Sequence, residues 1–174
     1  MALSRPEDCG LGRLVATLIR PHEPTEMLRE AADLLGQRIG HRLFTVLLIC
    51  ANRADTVRVY SDNLDAYPVN RVKRMGVTPW GDQVIRGGET WIGRNDEDIA
   101  WAFPDHALIR SLGLASALSV PVVFEGKCLA VLTLHHQAGW YRPEHIPLAQ
   151  QIAPLLIPDL MLLERAVNTG TAQA

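Results

Sequence analysis

The chain has 174 residues, 48% of them hydrophobic and 21% charged, with a formal net charge of -2. That is the length of one ordinary domain with enough apolar material for its own core, and a pI of about 6.3 offers no general attraction for nucleic acid or an anionic membrane. The three cysteines lack a CxxC spacing and so fit a reducing compartment rather than a disulfide framework. The N-terminal MALSRPEDCG has no apolar h-region, and no apolar run approaches the roughly 18 residues of a membrane span. The expectation is a cytoplasmic chain forming a single domain over residues 1–174, with its core at about 11–165.

Leu11, Leu14, Val15, Leu18 and Ile19 recur at helical spacing up to Pro21, which predicts an amphipathic helix over about 8–20. Pro24 suits the first turn of a second helix with a stripe from Met27 to Ile39, and Gly40 supplies its stop. Leu43–Cys50 reads as a buried strand. Asn52–Asp55 is a turn, and Thr56–Tyr60 alternates as a second strand. Tyr67, Val69 and Arg71 suggest an edge strand before Gly76. Thr78 is a candidate N-cap for a short helix carrying Trp80, Val84 and Ile85, closed by Gly87-Gly88. Thr90–Gly93 follows as a strand. Residues 94–112 read as an irregular wall with an acidic run and an N-cap candidate, Asp105. After Gln137–Tyr141, Pro143 opens a long helix in which Pro154 and Pro158 force a bend or break. The tail from Asn168 is expected to be disordered.

The stretch Gly113–His136 is the centre of this plan. It is apolar at both strand parities around Glu125-Gly126-Lys127, which predicts a buried hairpin covered by helices on both faces. With a three-residue loop Phe124 pairs with Cys128. Ala117, Ser119 and Pro121 then share a semi-polar face with Val131, Thr133 and His135. Ser116, the Ser119-Val120-Pro121-Val122 run, Gly126 and the strand ending in His135-His136 resemble the last two core strands of a GAF domain, a small-ligand sensing module of signalling proteins. The resemblance implies an α+β fold of about six antiparallel strands with helices on both faces. Within that superfamily the hairpin is most similar to bilin-binding phytochrome domains, whose chromophore-touching serine and histidine match Ser119 and His135.

The pocket implied by the resemblance lies between the sheet and the layer from Trp80 to Leu112. Trp80, Trp91, Trp101, Trp140, Phe103 and Tyr141 are its candidate walls, or alternatively plain core. Ser119, Thr133, His106 and His135 are candidate polar anchors. Arg94, with Arg110, brackets the acidic run and suits a carboxylate or phosphate ligand, against the commoner reading of paired surface charges. His135 and His136 point to opposite faces and cannot share a metal, so no metal is expected. No cysteine lies between Ala51 and Lys127, where GAF methionine sulfoxide reductases keep theirs. Asp105-His106 has aspartate where covalent bilin attachment wants cysteine, and Asn95-Asp96-Glu97-Asp98 departs from the NKFDE signature of the cyclic-nucleotide branch. Cys50 and Cys128 read as core thiols. The reading is a non-enzymatic sensory domain that binds an unidentified small organic ligand and signals through a homodimer or a protein partner. The homodimer expectation rests on the apolar stripes of the first and last helices. The alternatives are a small enzyme using His106 or His135 as acid or base, and a scaffolding dimer with a vestigial pocket.

Overall fold

The computed structural model describes residues 10–170, so Cys9 and the end of the expected tail lie outside the described residues. Six strands form one antiparallel sheet in the order β3-β2-β1-β6-β5-β4. They are β1 (Leu43–Ile49), β2 (Asp55–Ser61), β3 (Val72–Arg74), β4 (Trp91–Gly93), β5 (Ser116–Phe124) and β6 (Lys127–His136). β6 lies between β1 and β5, at the centre of the sheet.

One face carries α1 (Gly10–Leu18), α2 (Pro24–Arg38) and the C-terminal helices. The larger apolar core forms there, where Leu28, Leu35, Ile152 and Leu160 meet Phe44, Val46, Leu118 and Leu132. The opposite face is covered by a π-helical turn (Gly81–Arg86), α3 (Asp96–Ala102) and α4 (His106–Ser111), which form a smaller core around Trp80, Ile99, Ile109 and Val131. Helices on both faces explain why the central strands are apolar at both parities.

The hairpin corrects one expectation and keeps its consequence. The turn has two residues, since Phe124 pairs with Lys127. Glu125 and Gly126 have φ of 49° and 72°, the left-handed pair of a type I′ turn whose twist matches the strands. That turn alone would misalign Ser119 and His135. However, the register shifts after Val123↔Cys128 to Val122↔Ala130, leaving Leu129 as a bulge residue. The bulge restores the pairing, with Ser119 opposite Thr133 and Ala117 opposite His135.

Other local expectations also shift. The edge strand is Val72–Arg74 rather than Tyr67–Arg71, because Tyr67 turns inward and is buried while Asn70 takes a left-handed φ of 61°. The wall from 94 to 112 is two short helices rather than irregular. Asn95 caps α3 by accepting from the Asp98 amide at 2.9 Å, whereas the Asp105 side chain makes no cap bond to α4. Thr78 accepts from the Gly81 amide at 3.0 Å, as its cap role requires.

The C-terminal run is divided at its prolines. A 3-10 turn (Pro143–His145) leads into α5 (Ile146–Ile152), a second 3-10 turn (Ala153–Leu156) and α6 (Ile157–Asn168). Together they make a continuous helical run of 26 residues, Pro143–Asn168, long and apolar enough to cross a membrane, contrary to the sequence expectation that no such run exists. Here Ala149, Ile152, Leu156 and Leu160 pack into the larger core. Asp159 on α6 is buried and accepts from His22 at 2.9 Å, tying the α1–α2 connection to this run.

Candidate functional site

On the face opposite α2, alternate residues of three adjacent strands point the same way. Thr45 and Leu47 of β1, Thr56 and Arg58 of β2, and Thr133 and His135 of β6 form the floor of a cavity of about 340 Å³. Its far wall comes from the start of the π-helical turn and from the α3–α4 corner and α4, as Trp80, Phe103, Pro104 and Ile109, and Met75, Gly76 and Thr78 supply the rim. A smaller recess of about 170 Å³ adjoins it and shares Arg58, Tyr67 and Asp105.

The floor is polar beneath an aromatic wall. His135 is 4% exposed, and its Nδ1 is buried without a hydrogen-bond partner. Burial pushes its pKa down to about 4; Arg58 acts in the same direction, while Asp105 and Asp62 oppose it. The imidazole is therefore neutral at neutral pH. Phe103 lies across it, with ring centroids 5.4 Å apart. Ser119 accepts from Trp80 Nε1 at 3.3 Å and sits 3.4 Å from Thr133 Oγ1, so the hydroxyl pair of the sheet fixes the indole of the wall. Tyr67 donates to Asp105 Oδ2 at 2.9 Å, and burial and this carboxylate both raise the phenol's pKa.

The expected site residues divide by location. Trp80, Phe103, Thr133 and His135 line the cavity, and fully buried Ser119 stands behind Trp80. Trp91, Trp101, Arg94 and His106 fall outside the lining. Trp91 packs between Trp101 and Phe103 at 5.9 and 5.8 Å. Trp101 is 46% exposed, and Arg94 is exposed with its backbone amide bonded to Asp98. His106 Nδ1 lies 3.2 Å from the Phe103 carbonyl, and Arg110 pairs with Asp96 at 3.5 Å. Trp140 and Tyr141 instead fasten the end of α2, donating to the Ile39 and Gly40 carbonyls. His136 stacks on Trp140 at 3.7 Å.

Sequence reasoning missed Arg58, Tyr67, Lys73 and Asp105. Strand parity puts Arg58 on the face of Thr56, opposite the apolar Val57 and Val59, but does not tell a cavity floor from an outward, solvated face. Among the described residues no group of three His, Cys, Asp or Glu side chains could hold a metal ion. Cys50 and Cys128 are buried; burial raises both thiols, Cys128 to about 11, which keeps them protonated.

An antiparallel six-stranded sheet with helices on both faces and a cavity against the central strands defines an α+β module of GAF-like architecture. A family model described as GAF domain matches residues 21–156, and the chain belongs to the GAF domain family. No curated protein matches the chain. Among solved structures it is similar to the GAF domain of an Acinetobacter phosphoenolpyruvate-protein phosphotransferase, with a TM-score of 0.70 and 15% identity over 88% of this chain and 91% of that one. The GAF domain of a phosphoenolpyruvate-protein phosphotransferase from Coxiella burnetii gives 0.69 and 14%, over 93% and 95%. The chromophore-binding domain of a bacteriophytochrome from R. palustris gives 0.66 and 13%, over 90% of this chain and 60% of that one. At such identities the likeness is one of fold.

Proposed function

We propose that this GAF domain is a sensory module that binds a small organic molecule and acts in signalling through a dimer or a partner protein, not by catalysis. The observation that carries this reading is the cavity of about 340 Å³ between the sheet and the aromatic wall, with the make-up of a small-molecule site: apolar walls and a few fixed polar groups. Similar folds occur in a methyl-accepting chemotaxis protein and in a two-component sensor histidine kinase from Bacillus halodurans, which supports a signalling setting. The enzymatic reading is weaker, since His106 stands outside the lining and His135 Nδ1 has no partner to orient it as a base.

A thermal-shift screen against metabolite sets tests the binding reading. A ligand that binds only the folded state at a hundred times its Kd adds about 2.7 kcal/mol of stability, and His135→Ala should reduce that gain. A complete screen without a stabilising compound favours a vestigial pocket.

The dimer reading rests on apolar surface left open on the outer helices. Ile19, just past the end of α1, is 81% exposed, and Val15 on α1 and Leu162 on α6 are exposed as well. Light scattering at micromolar concentration should therefore give twice the 19.2 kDa chain mass, and Val15→Glu with Leu162→Glu should return it to the monomer. A wild-type chain at monomer mass removes this route of output.

A further inference from the structure

The cavity is one-sided in charge. Arg58, Lys73 and Arg74 line it against a single carboxylate, Asp105, which is already engaged by the Tyr67 hydroxyl. Among the described residues, none of these three cations has a carboxylate within ion-pair distance. Arg58 is the inner one. Its guanidinium carbon lies 4.7 Å from the centre of the Tyr67 ring, and its Nε is buried without a hydrogen-bond partner. Nη1 makes only a long 3.4 Å bond to the Pro68 carbonyl. Arg58 is half-buried and feels the Asp105 carboxylate only through space, against a larger cost of burial, so an arriving anion recovers the part of that cost that Asp105 leaves. On the same floor His135, unlike the half-buried Arg58, is more than nine-tenths buried, and its Nδ1 has no hydrogen-bond partner.

We propose that the ligand is a small organic carboxylate with an apolar, ring-sized body. Its carboxylate sits on the Arg58 fork, with Lys73 and Arg74 adding to the field, and its body lies against Trp80 and Phe103. This inference rests on the reading of the cavity as a small-molecule site. The fork suits two carboxylate oxygens. The neighbouring Asp105 carboxylate disfavours a second negative charge at the same place, which selects a monoanion over a phosphate dianion.

The test is a charge-matched panel added to the full chain and followed by amide chemical shifts of the cavity residues. Benzoate, phenylacetate and indole-3-acetate are the acids. Benzamide, phenylacetamide and indole-3-acetamide are their neutral partners, benzylamine, phenethylamine and tryptamine the cationic ones, and phenyl phosphate is the dianion. The expected result is binding led by an acid, at least about tenfold tighter than its amide, with the preference weakening as salt rises. Arg58→Gln should bring acid and amide to within about threefold of each other, and the amide's own binding shows that the variant still folds. Equal binding of acid and amide in the wild type, an unchanged preference in Arg58→Gln, or a lead for the amines or phenyl phosphate overturns the carboxylate proposal and leaves the pocket reading standing. No binding in any charge class overturns both.

Discussion

Truncation of Leu132 to Ala is expected to cost about 2–5 kcal/mol of folding free energy. Leu132 has no exposed surface and belongs to the larger core. It faces Val46 on β1 and Val120 on β5, so hydrogen-bonded strands on both sides limit how far the site can collapse around a void. Urea unfolding reads the effect directly as a lower midpoint at unchanged slope. A loss below about 0.5 kcal/mol, the size of an ordinary surface change, would contradict the central place given to β6.

The second large effect is on pH dependence. In the unfolded chain His135 titrates near the ordinary histidine value of about 6.5, whereas in the fold burial pushes it down to about 4. Between those values the unfolded chain takes up a proton that the folded one refuses. The stability linked to His135 is therefore whole above pH 6.5 and is lost as the pH falls toward 4. The gap corresponds to a loss on the order of 3 kcal/mol. His41 has the opposite sign. Burial works against its charge, but Asp62 and the Ala32 carbonyl outweigh that and raise its pKa, so its contribution is present below pH 6.5 and fades as the pH rises through the folded value. Urea unfolding of wild type and His135→Leu at pH 7 and pH 4.5 separates the two, because leucine cannot titrate. The variant should lose markedly less stability on acidification; equal losses would show that His135 is protonated in the fold.

The main elements of the fold were legible because their signals are local. The stripe from Met27 to Ile39, the apolar run at Leu43 and the two-sided hairpin each identify an element from its own residues. β3 was misplaced by a few residues because the alternation at Tyr67, Val69 and Arg71 imitates a strand, and only the tertiary bond from Tyr67 to Asp105 reveals a turned-in loop. The hairpin register came out right through two compensating features, a shorter turn and the bulge at Leu129. A bulge has no firm signature in one sequence. The cavity was half legible. His135, Thr133, Trp80 and Phe103 follow from strand parity and aromatic content, but Arg58 looked like an ordinary outward residue on an alternating strand. Its burial depends on the 64–76 segment folding back over β2, a non-local event that periodicity cannot register.

β6 is also one strand shared by two compartments. Thr133 and His135 look into the cavity, while Leu132 and Leu134, their immediate neighbours, are embedded among the helices on the other side. Successive side chains on a strand point to opposite faces, so the sheet here is a diaphragm one backbone thick. α6 contacts both β6 and β1, so an occupant that favoured one position of β6 over another would act on the seat of α6 without a relay of intermediate side chains. The two faces need only differ in which strand position they prefer for occupancy on one side to bias packing on the other.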